Sequence, residues 1–232
     1  MDLSRRSLAL LPAGLAAGLV TGCVARDMPA SDVAARRTAR TSPLPQPSTG
    51  GGTSLTDVLL RRRSVRAFTP DPLTRDELGQ LMWAAQGVTH DINRRTAPSG
   101  GALYPLELYA ATPDAVLHYL PDGHRVEEWR PAQGWQALVD ATPSKDAVAG
   151  APAVFVVAGA IRRTAAKYGG QSRSYVDLEV GHATQNLLLQ AVALGLGAVT
   201  IGAFNEGRLA RFLALPVQER ALYLVPVGRP AA

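Results

Sequence analysis

The chain has 232 residues, of which 47% are hydrophobic, so it can bury one substantial core or at most two small ones. Its 24 lysines and arginines against 19 aspartates and glutamates give a net charge of +5, which predicts no extended basic surface for nucleic acid. The single cysteine, Cys23, excludes an internal disulfide and a cysteine-based zinc site, and the four histidines are too scattered to support a metal site.

The first 22 residues have the features of an export signal. Arg5 and Arg6 precede an apolar run at residues 8–20, which is shorter than the roughly 20 residues of a membrane span. The arginine pair resembles the twin-arginine signal of proteins exported already folded, and residues 20–23 (VTGC) resemble a lipobox. We therefore predict export and a lipid anchor at Cys23, facing the periplasm or the cell exterior. The alternative is a buried N-terminal helix with an incidental cysteine.

Residues 23–52 are rich in proline, glycine and arginine and have almost no apolar periodicity. Since proline and glycine do not sustain a helix or a sheet ladder, we predict a tether here, followed by one domain at 53–232. Arg36, Arg37 and Arg40 of this tether either contact anionic lipid head groups or lie in solvent, and the solvated linker is the favoured interpretation.

Two helices at the start of the domain are predicted from their first turns. Ser54 with Asp57, and Thr74 with Glu77, have the form of capping boxes. The first helix extends through residue 60. The second carries apolar residues at helical spacing and ends at Gly87.

The middle of the domain predicts strands and then one long helix. Residues 121–123 (PDG) form a turn signal that joins two short strands as an antiparallel hairpin. The predicted strands are 106–111, 116–120, 125–129, 153–160, 198–201 and 221–227. A helix at 175–194 and a short helix after Asn205 complete the prediction. Hairpins mixed with helices indicate the α+β class.

Four polar or glycine-rich segments could carry chemistry. Residues 61–68 (RRRSVRAF) combine guanidinium groups with a hydroxyl and could hold phosphate, although an exposed arginine turn has the same pattern. Residues 97–102 (APSGGA) allow close approach of backbone to a flat ligand. Gly202 follows a strand, and residues 179–186 (EVGHATQN) place polar groups in an apolar helix, where they need partners.

Seven short segments occur in an order typical of one family. They are 62–68 (RRSVRAF), 81–87 (LMWAAQG), 98–106 (PSGGALYPL), 167–168 (KY), 181–186 (GHATQN), 194–197 (LGLG) and 226–228 (PVG). Together they resemble the FMN-dependent nitroreductase superfamily, and within it the SagB-type branch, over about residues 57–229. The resemblance implies a central, mostly antiparallel sheet flanked by helices. It also implies a homodimer that binds FMN in clefts at the subunit interface.

The resemblance assigns the first cluster of residues to the FMN phosphate and the polar edge of the ring. Arg62 and Arg63 would meet the phosphate, Ser64 the ribityl-phosphate region, and Arg66 the N1/C2 carbonyl edge. A cation beside N1 stabilises the reduced flavin. Many relatives grip the phosphate with a basic pair after the last strand, and here Arg229 would take part of that role.

A second group would surround the ring. Pro98, Ser99 and Gly100 would line it from the partner subunit's side, and Gly202 and Ala203 would present backbone amides near O4 and N5. An N–H at N5 orients the arriving hydride.

The SagB-type branch includes oxidases of azoline rings in modified peptides, with a lysine–tyrosine pair as the base. Lys167 and Tyr168 match that pair, although an exposed helix lysine beside a packing tyrosine is an equal alternative. His182 is either a structural histidine or a catalytic acid, and the structural role is favoured. Specificity is expected in loops such as 87–97 and 162–174.

Three functions are compatible with these features. The first is an exported, lipid-anchored FMN oxidoreductase that exchanges hydride with a small organic or peptide substrate, with NAD(P)H as a possible donor. The second is a flavin-binding redox relay, and the third is a lipoprotein with an interaction role only. The physiological substrate and the membrane that holds the anchor do not follow from the sequence.

Overall fold

The computed structural model describes residues 36, 38–50, 52–90 and 94–231. The predicted signal peptide at 1–22, the lipidation site Cys23 and Arg37 lie outside these residues. Among the described residues, no helix combines the length and the apolar character needed to cross a membrane.

Nine strands and seven α-helices make up the described domain. The strands are β1 (Arg40–Pro43), β2 (Val88–His90), β3 (Arg94–Arg95), β4 (Leu106–Ala111), β5 (Val116–Leu120), β6 (Arg125–Trp129), β7 (Ala153–Gly159), β8 (Gly197–Ala198) and β9 (Arg220–Gly228). The helices are α1 (Leu55–Arg61), α2 (Arg75–Gln86), α3 (Trp135–Val139), α4 (Lys145–Ala149), α5 (Ile161–Tyr168), α6 (Ser172–Ala193) and α7 (Glu206–Phe212).

Seven strands form one sheet in the order β1-β6-β5-β4-β7-β9-β8, and every pair of neighbouring strands in it is antiparallel. Strand β7 lies inside the sheet, between β4 and β9, and all seven of its residues are buried. A strand covered on both faces reads as a continuous apolar run, and this confirms the prediction from residues 153–160. The predicted α+β class with a mostly antiparallel sheet is therefore confirmed.

Each face of the sheet has its own core. On one face α2 and α6 pack through residues such as Met82 and Leu187, both fully buried. On the other face the small helices α3, α4 and α7 pack through residues such as Leu138 and Phe212. Helix α6 contributes Val176, Val180, Ala183, Leu187 and Ala191 to this core, which is the helical spacing of one buried face.

The predicted helix starts are confirmed by their caps. The Ser54 hydroxyl accepts a hydrogen bond from the Asp57 amide at 3.1 Å and starts α1. Thr74 and Glu77 form the reciprocal capping box that starts α2, which ends before Gly87 as predicted. The three strands β4, β5 and β6 have the predicted bounds, and the hairpin between β5 and β6 is antiparallel.

The expectation of a tether without a sheet ladder is wrong at its C-terminal part. Residues Arg40–Pro43 form β1, which pairs with β6, and Leu44 is buried in the core. The edge of β6 offers unpaired backbone groups, and Pro43 stands at the end of an edge strand, where its missing N–H costs no ladder bond.

Arg36 is not available to lipid head groups, which corrects that alternative for this residue. Its guanidinium lies 5.2 Å from the Trp129 ring and 3.4 Å from the Glu127 carboxylate. The same nitrogen, Nη2, is 3.0 Å from His118 Nδ1. The side chain thus fastens the start of the described chain to the second face of the sheet.

The strand predicted at 198–201 is shorter and interrupted. Strand β8 ends at Ala198, and Ile201 makes an isolated bridge to Leu224. The register places Val199 opposite Pro226, whose nitrogen has no hydrogen to donate, so the ladder stops there.

Two segments expected as loops contain regular structure. Val88–His90 and Arg94–Arg95 form a small hairpin of their own. Most of 162–174 is helical, because α5 continues to Gly169 and α6 begins at Ser172 rather than at 175. No glycine or proline interrupts 161–168, so nothing stops the helix earlier.

Candidate functional site

Residues 62–66, called here the arginine segment, lie along the outer edge of β8. The Val65 amide donates to the Ala198 carbonyl at 3.0 Å, and Ser64 makes a parallel bridge with Ala198. The Val65 side chain fills the space beside Gly197, where a Cβ would come within 2.7 Å of it. Glycine at 197 therefore lets the segment approach the sheet closely and fixes its backbone.

Three side chains of the arginine segment have no hydrogen-bonding or ionic partner among the described residues. They are Arg62, which is half-buried, and Ser64 and Arg66, which are exposed. Arg63 differs, because its Nη1 donates to the carbonyls of Leu60 and Arg62 at 2.8 and 2.9 Å. Guanidinium groups and a hydroxyl in this arrangement have the chemistry of a phosphate site.

Gly202 and Ala203 follow the Ile201 bridge at the same edge of the sheet. Ile201 is fixed by reciprocal backbone hydrogen bonds with Leu224. The Gly202 amide donates to no other described residue, and the Ala203 carbonyl accepts from the Thr142 hydroxyl at 2.8 Å.

The parallel direction of the Ser64–Ala198 bridge aligns these two stretches of chain. Arg66 and Thr200 both stand two residues beyond the bridge and run the same way along the edge. The structure thus brings the arginine segment and Gly202 to one side of the sheet, as a single ligand would need.

Residues 98–104, called here the glycine turn, have an unusual backbone. Gly101, Ala102 and Tyr104 have φ angles of +64°, +54° and +45°. For residues with a Cβ this region costs about 1–2 kcal/mol each, so surrounding contacts must hold the turn. Within it, the Tyr104 amide donates to the Ser99 hydroxyl at 2.8 Å.

Lys167 and Tyr168, the predicted general base, lie against the glycine turn. A Cβ placed on Gly101 would meet Lys167 Nζ at 2.6 Å and the Tyr168 hydroxyl at 3.0 Å. Lys167 is exposed, whereas the partial desolvation expected of a base is not seen within the single chain. The pair is further ordered by Tyr175, whose ring packs on that of Tyr168 at 4.4 Å between centroids.

Arg163, one helical turn before Lys167, also holds the turn. Its Nη1 donates to the Tyr104 carbonyl and its Nη2 to Glu107 Oε1, both at 2.6 Å. Helix α5 therefore contacts both ends of the strained segment.

Glu179 is a site residue that the sequence reasoning did not single out. The residue is 5% exposed, and its Oε1 accepts from the Gly100 amide at 2.9 Å. Burial raises the pKa of Glu179, and the Gly100 amide and the Ser99 side chain act in the opposite direction. The signal was present, since a carboxylate in an apolar helix needs a partner, but the sequence did not show which one.

This contact changes the expected role of Gly100. Its amide is already engaged by Glu179, and the space beside its Cα is taken by Tyr175 and Tyr168. The two glycines of the turn thus serve close packing against α5 and α6 on that side, where open space for a flat ligand had been expected.

Two predicted residues have other surroundings than a cofactor site. Arg229 Nη2 is 2.9 Å from Glu77 Oε1, and its Nη1 is 3.4 Å from the Pro72 carbonyl, so its part in holding phosphate stays a prediction. His182 is exposed on α6, unlike a core histidine, and its side chain makes no hydrogen bond or ion pair with another described residue, although it interacts electrostatically with Glu179.

The arginine segment and the glycine turn lie apart within one chain. The turn leads into β4 and the segment lies beyond β8, with β7 and β9 between these strands. Four strand spacings of about 4.8 Å, the last of them from β8 to the arginine segment, put roughly 19 Å of sheet between them. One chain does not bring the two groups into contact.

The sequence was compared with known families and proteins. The family model described as the nitroreductase family matches residues 59–229. The chain belongs to the nitroreductase family. It is also 39% identical over 181 residues to a protein of Methanocaldococcus jannaschii that is provisionally called a nitroreductase. This match covers 75% of this chain and 90% of that relative.

Solved structures of the nitroreductase family have the same fold. A crystal structure of a protein from Ralstonia eutropha, also provisionally called a nitroreductase, is 28% identical with a TM-score of 0.74. The match covers 83% of this chain and 90% of that chain. Another, from Desulfovibrio desulfuricans and in complex with FMN, is 22% identical with a TM-score of 0.57 and covers 78% and 89%.

Membership of the nitroreductase family indicates which ligand the unpaired donors of the described residues could bind. Nitroreductase-family proteins are generally flavin-dependent oxidoreductases, and FMN has one phosphate and one flat polar ring. The donors of Arg62, Ser64 and Arg66 fit the phosphate and the ring edge, and the Gly202 amide fits a ring acceptor. The residues present are therefore compatible with FMN.

Proposed function

We propose that this protein is an exported, FMN-dependent oxidoreductase of the SagB type. The observation that carries the proposal is the set of free donors on Arg62, Ser64 and Arg66, which the fold holds at the same sheet edge as Gly202. The substrate is a small organic molecule or a peptide, and NAD(P)H is the candidate electron donor.

Each part of the arginine segment has a distinct task in this proposal. Arg62 and Arg63 bind the FMN phosphate, and Ser64 adds a neutral donor beside it. Arg66 places a permanent positive charge at the N1/C2 edge, where negative charge develops on reduction. Bound FMN supplies hydride chemistry at N5, and Gly202 and Ala203 orient that edge through their amides.

Lys167 or Tyr168 accepts the substrate proton in this proposal. Both lie beside Gly101, so a substrate resting against the glycine turn contacts Lys167 Nζ or the Tyr168 hydroxyl. A neutral Lys167, or Tyr168 in its place, accepts the proton that leaves the substrate as its hydride departs. Such a base needs shielding from water, which one chain alone does not provide for Lys167.

A homodimer would supply that shielding and close the site. The glycine turn is roughly 19 Å from the arginine segment of its own chain by strand spacing, so a second copy is needed to bring Pro98, Ser99 and Gly100 to the ring. Exposed leucines favour such an association: Leu55, Leu59 and Leu60 of α1 and Leu178 of α6 are 53–66% exposed.

The central test is a redox titration of the purified protein. We expect a yellow protein with flavin absorbance that is bleached by a donor such as NADH and restored by a quinone or a nitroaromatic compound. A colourless protein that takes up no added FMN would support the interaction lipoprotein instead. Flavin that binds but is neither reduced nor reoxidised catalytically would support the binding module or relay.

Export and anchoring are tested separately from redox chemistry. Changing Arg5 and Arg6 together to lysine should block export and leave folding intact, because the pair acts as an address. Cys23→Ala should release the exported domain from the membrane fraction. Unchanged export, or a variant still held in the membrane, would contradict the corresponding assignment.

A further inference from the structure

Glu179 is a buried carboxyl group that the proposed FMN and substrate contacts leave unused. It stands on α6, whose neighbouring residues Ala183 and Leu187 are fully buried in the core. Its Oε1 accepts from the Gly100 amide at 2.9 Å. The hydrogen bond therefore joins a helix packed into the core to a turn in which Ala102 and Tyr104 have positive φ angles.

We propose that Glu179 is a positioning residue, which holds the glycine turn in its left-handed conformation and so places the wall of the flavin site. The effect on flavin rests on the proposed function, whereas the effect on the turn does not. Directly after the tethered Gly100 come Gly101 and Ala102 at positive φ. Without an external acceptor for the Gly100 amide, these residues would relax towards more favourable angles.

The packing around Gly100 shows that the turn is held from one side. Tyr175, Glu179 and Tyr168 all lie within 3.4–3.7 Å of the place where a Cβ of residue 100 would be. The two tyrosines supply apolar contact, and among these three only the carboxylate accepts a hydrogen bond from the amide. Loss of that acceptor would leave a half-buried N–H without a partner.

The position of the turn also sets the position of the predicted base. Lys167 Nζ and the Tyr168 hydroxyl lie beside Gly101, the residue next to the one that Glu179 holds. A displaced turn would therefore disturb substrate placement and proton removal together, without removing either group.

Two variants separate the hydrogen bond from the volume of the side chain. Glu179→Gln keeps an oxygen acceptor of the same reach, whereas Glu179→Met keeps the length but offers only a weak acceptor. The first measurement is hydrogen exchange in residues 99–104 of the FMN-free protein. We expect wild-type protection with Gln and roughly tenfold to hundredfold faster exchange with Met.

The second measurement uses FMN affinity and turnover of the same proteins. The Met variant should bind FMN more weakly, and its kcat should fall by a larger factor than its KM changes. The Gln variant should have the FMN affinity and the kcat of the wild type. Faster exchange in Gln and Met alike, or in neither, would overturn the positioning role. A wild-type protein that binds no FMN would reject the proposed function, and the exchange measurement would still decide whether Glu179 holds the turn.

Discussion

The arginine segment and the glycine turn use their backbone and their polar groups in opposite ways. In the arginine segment the backbone is fixed against β8, and the side chains of Arg62 and Arg66 have no partner in the part of the chain that the structure describes. In the glycine turn the backbone is strained, and its polar groups are engaged by Arg163 and Glu179. A segment that binds a ligand needs donors that are not already paired within the protein. A segment that shapes the wall of a site instead uses its polar groups in hydrogen bonds that hold its own backbone.

This contrast separates binding from chemistry. If it is correct, changes in the arginine segment alter how tightly FMN is held, and changes around the glycine turn alter what the bound cofactor can do. Each prediction below tests one side of that division.

The largest effect is expected from the predicted base. Lys167→Ala and Tyr168→Phe should keep FMN and its colour but slow oxidation of a proton-releasing substrate about 10²- to 10⁴-fold, because a general base is lost. Reduction of a nitroaromatic or a quinone should persist, since it needs no base. Steady-state rates with both substrate classes measure this.

The two substrate classes serve as each other's control. Equal loss of both activities would assign Lys167 and Tyr168 a structural role in supporting the glycine turn. No loss of either would make Lys167 an exposed surface lysine without a catalytic task.

A smaller effect is expected from a substitution in the arginine segment. Arg66→Ala removes a charge-assisted hydrogen bond worth roughly 1.5–3 kcal/mol, so FMN affinity should fall by about one to two decades. Flavin fluorescence during titration of FMN-free protein measures the dissociation constant.

Arg211→Ala is the matched control for Arg66→Ala. Arg211 is equally exposed but lies on α7, and its side chain has no partner among the described residues. Its loss changes the net charge by the same amount. Equal affinities of the Arg66 variant and wild type would mean that the arginine segment does not bind the cofactor.

The strain of the glycine turn predicts a loss of stability. Gly101→Ala forces a residue with a Cβ to φ +64° and should lower the free energy of unfolding by about 1–2 kcal/mol. Urea unfolding measures this. Gly170→Ala is the control, because no described residue lies within 4 Å of the place where its Cβ would be and its φ is not positive.

Repeating the Gly101→Ala substitution in a Lys167→Ala protein identifies the cause of the lost stability. The new Cβ also approaches Lys167 Nζ, the flexible end of a side chain. The same loss in a Lys167→Ala background would assign the cost to the backbone, and recovery there would assign it to the side-chain contact.

The sequence predicted the features that local rules govern. Caps at Ser54 and Thr74, the strands β4 to β6 and the central strand β7 follow from hydrogen-bonding side chains, turn residues and apolar runs. These signals lie within a few residues of the structure that they specify.

Features that depend on distant partners were missed. Strand β1 forms because β6 has a free edge about 85 residues later in the chain, which no property of residues 40–43 announces. Glu179 meets Gly100 across 79 residues, and Arg36 meets His118 across 82. The separation of roughly 19 Å along the sheet between the arginine segment and the glycine turn follows only from the strand order.

The smallest predicted effect distinguishes two carboxylates that support the glycine turn. Burial raises the pKa of Glu179 above its ordinary value of 4.5. For Glu107 burial acts in the same direction, but hydrogen bonds from His118 and Arg163 outweigh it and lower the pKa. The two groups should therefore contribute to stability with opposite dependence on pH.

The signs follow from proton uptake on unfolding. Near and above pH 4.5 the unfolded chain has released the Glu179 proton that the folded protein still holds, so this contribution is lost as pH rises through the raised pKa. The contribution of Glu107 is present above pH 4.5 and is lost as pH falls through its lowered pKa. Unfolding in urea from about pH 3 to 7 should thus show Glu179→Gln gaining stability over wild type with rising pH, and Glu107→Gln falling behind. Parallel curves for the two variants would mean that the carboxylates supporting the turn have similar surroundings, contrary to the contacts of Arg163 and Gly100.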